Sequence, residues 1–300
     1  MQTVGTDAES AGVNRSYLFV PADSERKLAK ARDSTADALI LDLEDSVAAS
    51  RRPAARKLVG EFLADRPPHD AWVRINPMTT NDCHLDLQSL IRSAPTGIVL
   101  PKPTGATDVV QLSGLLQKLE GENGLRIGQI GIIPIATETP GALFRLHEYT
   151  SSTPRLAGMT WGAEDLSAAV GASTARDDAG GWLPQYQMAR SLCLFAASAA
   201  EVPAIDTVYT DFSDAEGLTE YAANARRDGF EGMLAIHPSQ VDVINAAFTP
   251  DDADVERAQR IVDLFSANPE AGTLGMDGEM IDRPHWKRAI RVLECAQKHE

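Results

Sequence analysis

Residues 36–47, ADALILDLEDSV, read as a buried strand that runs straight into acid. Ala38-Leu39-Ile40-Leu41 is a continuous apolar run, the pattern of a strand covered on both faces, and it passes into Asp42, Glu44 and Asp45. The same form recurs outward from this stretch. Trp72-Val73 closes on Arg74, Ile98-Val99-Leu100 leads to Lys102, and the run 130–136 ends at Glu138. The run 156–160 leads through Trp161-Gly162-Ala163 to Glu164 and Asp165, and the run 233–236 is followed by His237. Charge placed always on the carboxyl side of a strand is how parallel strands converge on one site.

Eight such strands are expected, at 16–21, 38–43, 71–76, 97–101, 130–136, 156–161, 202–209 and 232–237. Helical periodicity fills the intervals, as in Leu85, Leu87, Leu90 and Ile91, or Val109, Leu112, Leu115, Leu116 and Leu119. Alternating strands and helices over this span predict an α/β fold, a (β/α)8 TIM barrel. An open doubly wound sheet is the runner-up, weakened because no G-x-G-x-x-G follows the first strand. The expected organisation is a disordered leader over 1–14, a catalytic barrel over 15–250 and a C-terminal helical extension over 251–300. The extension is read as a helix over 251–267, a glycine-rich link over 268–278 and a final helix from Pro284. Barrel closure does not need it, so it either packs across the barrel or, the favoured reading, contacts a neighbouring subunit. Residues 171–184 read as a long loop after strand six, on the face where loops close over substrate.

Composition limits the partners. With 28 basic and 43 acidic residues the net charge is −15, which argues against nucleic acid and anionic membranes and leaves room for a small anionic substrate in a local basic pocket. Three widely spaced cysteines, Cys83, Cys193 and Cys295, have no metal-type spacing and read as reduced packing residues of a cytoplasmic protein. No apolar run approaches the ~20 residues that span a bilayer.

Each strand end carries two open readings. Glu138 and Asp165 fall on adjacent strands, and two carboxylates without nearby Cys or His suit a hard cation such as Mg2+; alternatively each caps a helix or pairs with an arginine. Arg74 is either a clamp on a substrate carboxylate or one half of a salt bridge to Glu44. Lys102 is either a Schiff-base amine or part of a rigid Pro-Lys-Pro turn. His237 is an acid–base group or a structural residue before Pro238. Lys27 and Lys30, i and i+3 on the first helix, present either a phosphate-binding face or a solvated one.

At these same residues the chain resembles the citrate lyase β-subunit and malyl-CoA lyase family. The resemblance rests on Arg15-Ser16-Tyr17-Leu18-Phe19-Val20-Pro21-Ala22, on 36–47, on Val73-Arg74-Ile75-Asn76 and on Leu100-Pro101-Lys102. It continues through Glu138-Thr139-Pro140-Gly141-Ala142, Trp161-Gly162-Ala163-Glu164-Asp165-Leu166, Ala235-Ile236-His237-Pro238-Ser239-Gln240 and 278–284. It implies a homotrimeric (β/α)8 barrel that makes or breaks a C–C bond in acyl-CoA esters such as malyl-CoA or citramalyl-CoA, with Mg2+ or, alternatively, Mn2+. Glu138 and Asp165 would then hold the metal, Arg74 the oxo-acid carboxylate, and Glu44 would orient Arg74. Asp282 would be an acid–base residue supplied by the adjacent subunit, and Lys27 and Lys30 would face the CoA phosphates. A citrate lyase β subunit acting on a carrier-protein thioester and a malyl-CoA thioesterase are the alternatives. Two departures bear on the site: Thr139-Pro140 where relatives often have Ser-Ala, which reshapes the loop after strand five, and the bulky Trp161 together with a glycine-rich loop that carries Trp182, which bear on the acyl pocket.

Overall fold

A computed structural model of the protein describes residues 14–178 and 180–299. Eight parallel strands, β1 (Ser16–Pro21), β2 (Ala38–Asp42), β3 (Asp70–Arg74), β4 (Gly97–Leu100), β5 (Gly131–Pro134), β6 (Met159–Thr160), β7 (Ala204–Asp206) and β8 (Gly232–Ala235), form one sheet in the order β5-β4-β3-β2-β1-β8-β7-β6. Two parallel bridges, Ile132 to Leu156 and Ile135 to Thr160, join β5 to β6 and bring the sheet round into a nearly closed barrel. This is the expected (β/α)8 architecture. The strand expected at 156–161 is reduced to two residues, because pairing across this seam is made by single bridges rather than a continuous ladder.

Helices follow the strands: α1 (Glu25–Arg32), α2 (Arg52–Ala64), α3 (Asn81–Leu90), α4 (Ala106–Glu122), α5 (Pro140–Leu143), α6 (Ala163–Ala169), α7 (Pro184–Ala199), α8 (Ala215–Asp228) and α9 (Val241–Phe248). Local sequence explains their starts. The Asp214 carboxylate accepts from Gly217 N–H at 2.9 Å at the head of α8, and Pro140 and Pro184 occupy first turns, where no amide is needed. The loop expected directly after strand six instead follows α6, and Pro184 opens α7.

All five residues of β2 are buried, which is why its apolar run is unbroken. Inside the barrel Tyr17, Ile40, Trp72, Val99, Ile133, Ile135, Ile205 and Leu234 pack into one cluster. Trp72 fits only because its neighbour on β4 has no side chain: a Cβ on Gly97 would lie 2.1 Å from Trp72 Cζ3. Burial of such rings is the main stabilising term, and truncating one to alanine costs about 3–5 kcal/mol.

The chain divides into two compact units, one spanning Asn14–Asn245 and the other the residues from Ala246 onward. The leader expected over 1–14 lies outside the described residues except for Asn14, which is buried and donates from Nδ2 to Asp70 Oδ2 at 2.9 Å. In the second unit α10 (Asp252–Ala267) is capped by Asp251, whose Oδ1 accepts from Asp254 N–H at 2.7 Å. The region expected to be a plain glycine-rich link contains an antiparallel hairpin, β9 (Thr273–Met276) and β10 (Glu279–Asp282), before α11 (Arg283–His299). Its two turn residues, Asp277 at φ 55° and Gly278 at φ 83°, both take the positive φ that favours an Asp-Gly two-residue turn. Ile261, Phe265, Met276, Ile281 and Ala289 form this unit's own core.

Candidate active site

Asp42 and Arg74 are the last residues of neighbouring strands and stand directly opposite each other in register. Their side chains meet as a fork: Arg74 Nε donates to Asp42 Oδ1 at 2.7 Å and Nη2 to Oδ2 at 2.6 Å. The Phe19 ring supports the guanidinium 4.8 Å from its centroid. Burial alone would raise the Asp42 carboxyl, but the hydrogen bonds and charge of Arg74 outweigh it and hold the group below its ordinary range. Arg74 Nη1 lies 3.2 Å from Glu44 Oε2, an ion-pair distance without hydrogen-bond geometry, and that oxygen is buried without a hydrogen-bond partner. The firm partner of Arg74 is thus Asp42, a residue to which the sequence reading assigned no separate role.

Lys102 ties the next group together. It turns at φ 51° between two prolines, so its N–H and its side chain reach different acids. The N–H donates to Glu138 Oε2, while Nζ contacts Glu44 Oε1, sits 3.0 Å from Asp45 Oδ2 and 3.5 Å from Asp165 Oδ1. Burial pulls the ammonium pKa down, and the hydrogen bonds to Glu44 and Asp45 more than reverse that, leaving it raised. A Schiff-base nucleophile needs a free amine, and this setting keeps the proton on. Glu138 is pushed up to about 8, first by burial and then by the nearby charges of Asp165 and Glu44, against the opposing bond from Lys102 N–H. Two acids in one cleft, one held low and one high, are a mark of a functional site.

Arg74, Glu138 and Asp165 line one cavity of about 310 Å³ together with Asp42, Ser46, Glu164 and Thr207. Phe19, Ile135, Trp161, Val208 and Leu234 supply its apolar wall. Among the described residues no three His, Cys, Asp or Glu side chains gather into a metal-binding group. Two oxygen donors from the protein are nevertheless what Mg2+ takes when water and substrate complete its shell, and the burial and neighbouring acids that raise the Glu138 carboxyl are what a cation would offset, favouring its ionised form. The donor set fits.

Lys27, Lys30 and His237 are not part of this cluster. Lys27 and Lys30 are exposed on α1, outside the cavity lining. His237 is exposed, and its Nδ1 is engaged with Ser239 Oγ at 2.7 Å. Asp282 belongs to the second unit, at the head of α11, with Oδ1 2.5 Å from His285 Nδ1; chiefly through that hydrogen bond its carboxyl sits below the ordinary range. The sequence reading also missed Asp206, the fully buried end of β7, which accepts from Trp161 Nε1 at 2.6 Å. An aspartate closing the apolar pair Ala204-Ile205 was the available signal.

A guanidinium fork and a pair of carboxylates in one strand-end cavity mark the chain as a (β/α)8 enzyme. Within that class, the chain belongs to the HpcH/HpaI aldolase/citrate lyase family, whose profile matches residues 15–238. It is similar to a citrate lyase subunit beta-like protein of Mycobacterium tuberculosis, 36% identical over 280 residues that cover 93% of this chain and 94% of the relative. It is also similar to a (3S)-malyl-CoA thioesterase of Cereibacter sphaeroides, 32% identical over 294 residues and 97% of each chain. Among solved structures it resembles CitE from M. tuberculosis in complex with magnesium, acetoacetate and coenzyme A, with a TM-score of 0.77, 34% identity and coverage of 96% of this chain and 99% of that one.

Proposed function

We propose that the protein is a Mg2+-dependent carbon–carbon lyase that cleaves, or forms, a β-hydroxyacyl-CoA such as malyl-CoA or citramalyl-CoA, giving an acyl-CoA and an oxo acid. The observation that carries this reading is the shared cavity: the Arg74 fork, braced by Asp42, beside the carboxylates of Glu138 and Asp165. The structural neighbour with magnesium, an oxo acid and coenzyme A supports the same ligand set.

Glu138 and Asp165 are the residues that would hold the cation, Mg2+ or in its place Mn2+. When bound, it would polarise the hydroxyl and carboxylate oxygens of the substrate. Arg74 holds the carboxylate of the oxo-acid half, and Asp42 and Glu44 fix its orientation. In cleavage a base takes the proton of the β-hydroxyl, the oxo-acid carbonyl forms as the C–C bond breaks, and the bonding electrons remain on the thioester as an enolate. A proton must then reach the enolate carbon, and Asp282, supplied by the neighbouring subunit of a homotrimer, is the residue we assign to that transfer. The exposed pair Lys27 and Lys30 would meet the CoA phosphates. In this reading 15–250 is the catalytic domain of a cytoplasmic enzyme and 251–300 its intersubunit arm. Among the described residues no helix is long and apolar enough to cross a membrane.

Two relatives point to alternatives. The likeness to a citrate lyase subunit beta-like protein leaves room for a second reading, action on a carrier-protein thioester, and the malyl-CoA thioesterase favours hydrolysis of the malyl-CoA ester. One assay separates them: malyl-CoA, β-methylmalyl-CoA and citramalyl-CoA are offered with Mg2+ and again with excess EDTA, and products are resolved by mass. Metal-dependent release of an oxo acid with an acyl-CoA is the expected result. A hydroxy acid and free CoA would mean hydrolysis, and no turnover of any free ester would move the substrate to a carrier protein.

A further inference from the structure

One wall of the cavity is held from behind. Trp161 lines the cavity and is fully buried; its Nε1 donates to Asp206 Oδ1 at 2.6 Å. Asp206 also accepts from Arg190 Nη2 at 2.7 Å and from Thr207 N–H at 2.8 Å, so its carboxylate is locked in place. Trp182, from the segment between α6 and α7, meets Trp161 edge to face with ring centroids 5.1 Å apart and planes at 69°. Its own Nε1 donates to the Tyr221 hydroxyl at 3.2 Å, and that hydroxyl reaches Asp206 Oδ1 at 3.3 Å. The Arg176 guanidinium lies over the Trp182 ring, 3.7 Å from its centroid. Two indoles and a buried carboxylate therefore fix one another, yet only Trp161 of the two rings borders the cavity.

We propose that Trp182 sets which alkyl substituent the oxo-acid half of the substrate carries, acting through Trp161, with Asp206 as the residue that holds Trp161 in orientation. The inference rests on the lyase reading of the site. Arg74 takes the carboxylate, and the substituent beside it meets the wall of Ile135, Trp161, Val208 and Leu234. With Trp182 seated behind it, Trp161 cannot turn away, so the wall admits hydrogen or methyl and rejects longer chains. Trp182 and Asp206 touch no substrate; they are positioning residues.

The test is calorimetric binding of glyoxylate, pyruvate, 2-oxobutyrate and 2-oxovalerate, with Mg2+ present, to the wild type, Trp182→Ala, Trp182→Phe and Tyr221→Phe, alongside cleavage of the matching CoA esters. Wild-type affinity is expected to fall about tenfold or more from pyruvate to 2-oxovalerate, the scale on which an apolar pocket rejects extra methylenes. Trp182→Ala should erase most of that ratio while leaving the pyruvate affinity within about threefold, on the same scale. Trp182→Phe, which loses the hydrogen bond to the Tyr221 hydroxyl and part of the ring, should relax the profile part way. Tyr221→Phe removes a hydrogen bond but little volume, so it should relax the profile part way and serves if Trp182→Ala does not fold. A parallel weakening of all four acids in the variants, or a wild type indifferent to chain length, overturns the proposal while leaving the lyase intact. A wild type that binds none of the acids and cleaves no ester removes the lyase reading and the proposal together.

Discussion

Glu120 and Glu138 flank the same strand, β5, and both are buried, yet burial ends differently at the two sites. Glu120, in the last turn of α4, has completed its bonding. Its Oε1 accepts from Arg155 Nη1 at 2.8 Å and Ile130 N–H at 3.1 Å, and its Oε2 accepts from Gly128 N–H at 2.8 Å and from Arg155 Nη2. Burial would raise this carboxyl, but Arg155 and the two amides outweigh burial and hold it low. At the other end of the strand Glu138 has Lys102 N–H against it and two further acids beside it, and it rises to about 8. A buried charge with its partners complete is a brace. A buried carboxyl that burial and neighbouring acids keep from ionising is a place for a cation.

The largest expected effect lies at the closed end. Arg155→Met leaves Glu120 buried with only its backbone donors, which should cost about 3–5 kcal/mol and lower the melting temperature by roughly 10 °C, while activity of the folded enzyme at low temperature stays near wild type. Scanning calorimetry and the ester assay read the two quantities. At the open end Arg74→Lys keeps a positive charge beside Asp42 but loses the planar fork. There kcat/KM for the preferred ester should drop on the order of 10²-fold with only a small shift in melting temperature. If Arg74→Lys melted early and stayed active, the two ends of the barrel would not differ in kind.

The smallest effect sharpens the contrast by sign. The Glu120 pKa is lowered on folding, so its contribution is present above the ordinary value of 4.5 and is lost as pH falls through the lower folded value. The Glu138 pKa is raised, so its contribution is present below 4.5 and is lost as pH rises through about 8. In EDTA, urea unfolding from pH 4.5 to 8.5 should show a decline that Glu138→Gln removes and Glu120→Gln leaves unchanged. A decline that survives in Glu138→Gln would assign the titration to another group.

Much of this arrangement is legible in the sequence, and the reason is physical. At the strand ends the apolar run and the charged residue are contiguous, so Arg74, Glu138 and Asp165 announce themselves beside the residues that bury them. Glu120 gives no such signal. It sits inside a helical pattern with Lys118 and Glu122 nearby, which reads as solvated, and its partner Arg155 is distant in sequence. The bond from Trp161 to Asp206 is hidden for the same reason, since it crosses between strands. The β9–β10 hairpin is a different case: Asp277-Gly278 carried the turn signal, and the surrounding glycines read as a link instead. Asp42 was visible as a strand end, but its pairing with Arg74 depends on register, which one sequence does not specify.

The fit of Trp72 into the space beside Gly97 also restricts the routes by which such a barrel can diverge. Alanine at 97 meets the indole head-on while Trp72 stands, so a lineage must shrink the ring before it can enlarge the glycine. In that order the intermediate carries a void in the barrel interior, at about 3–5 kcal/mol for a tryptophan cut to alanine. In the reverse order it carries a clash. The two positions are therefore expected to change together or not at all across descendants, a historical dependence written by one missing methyl group.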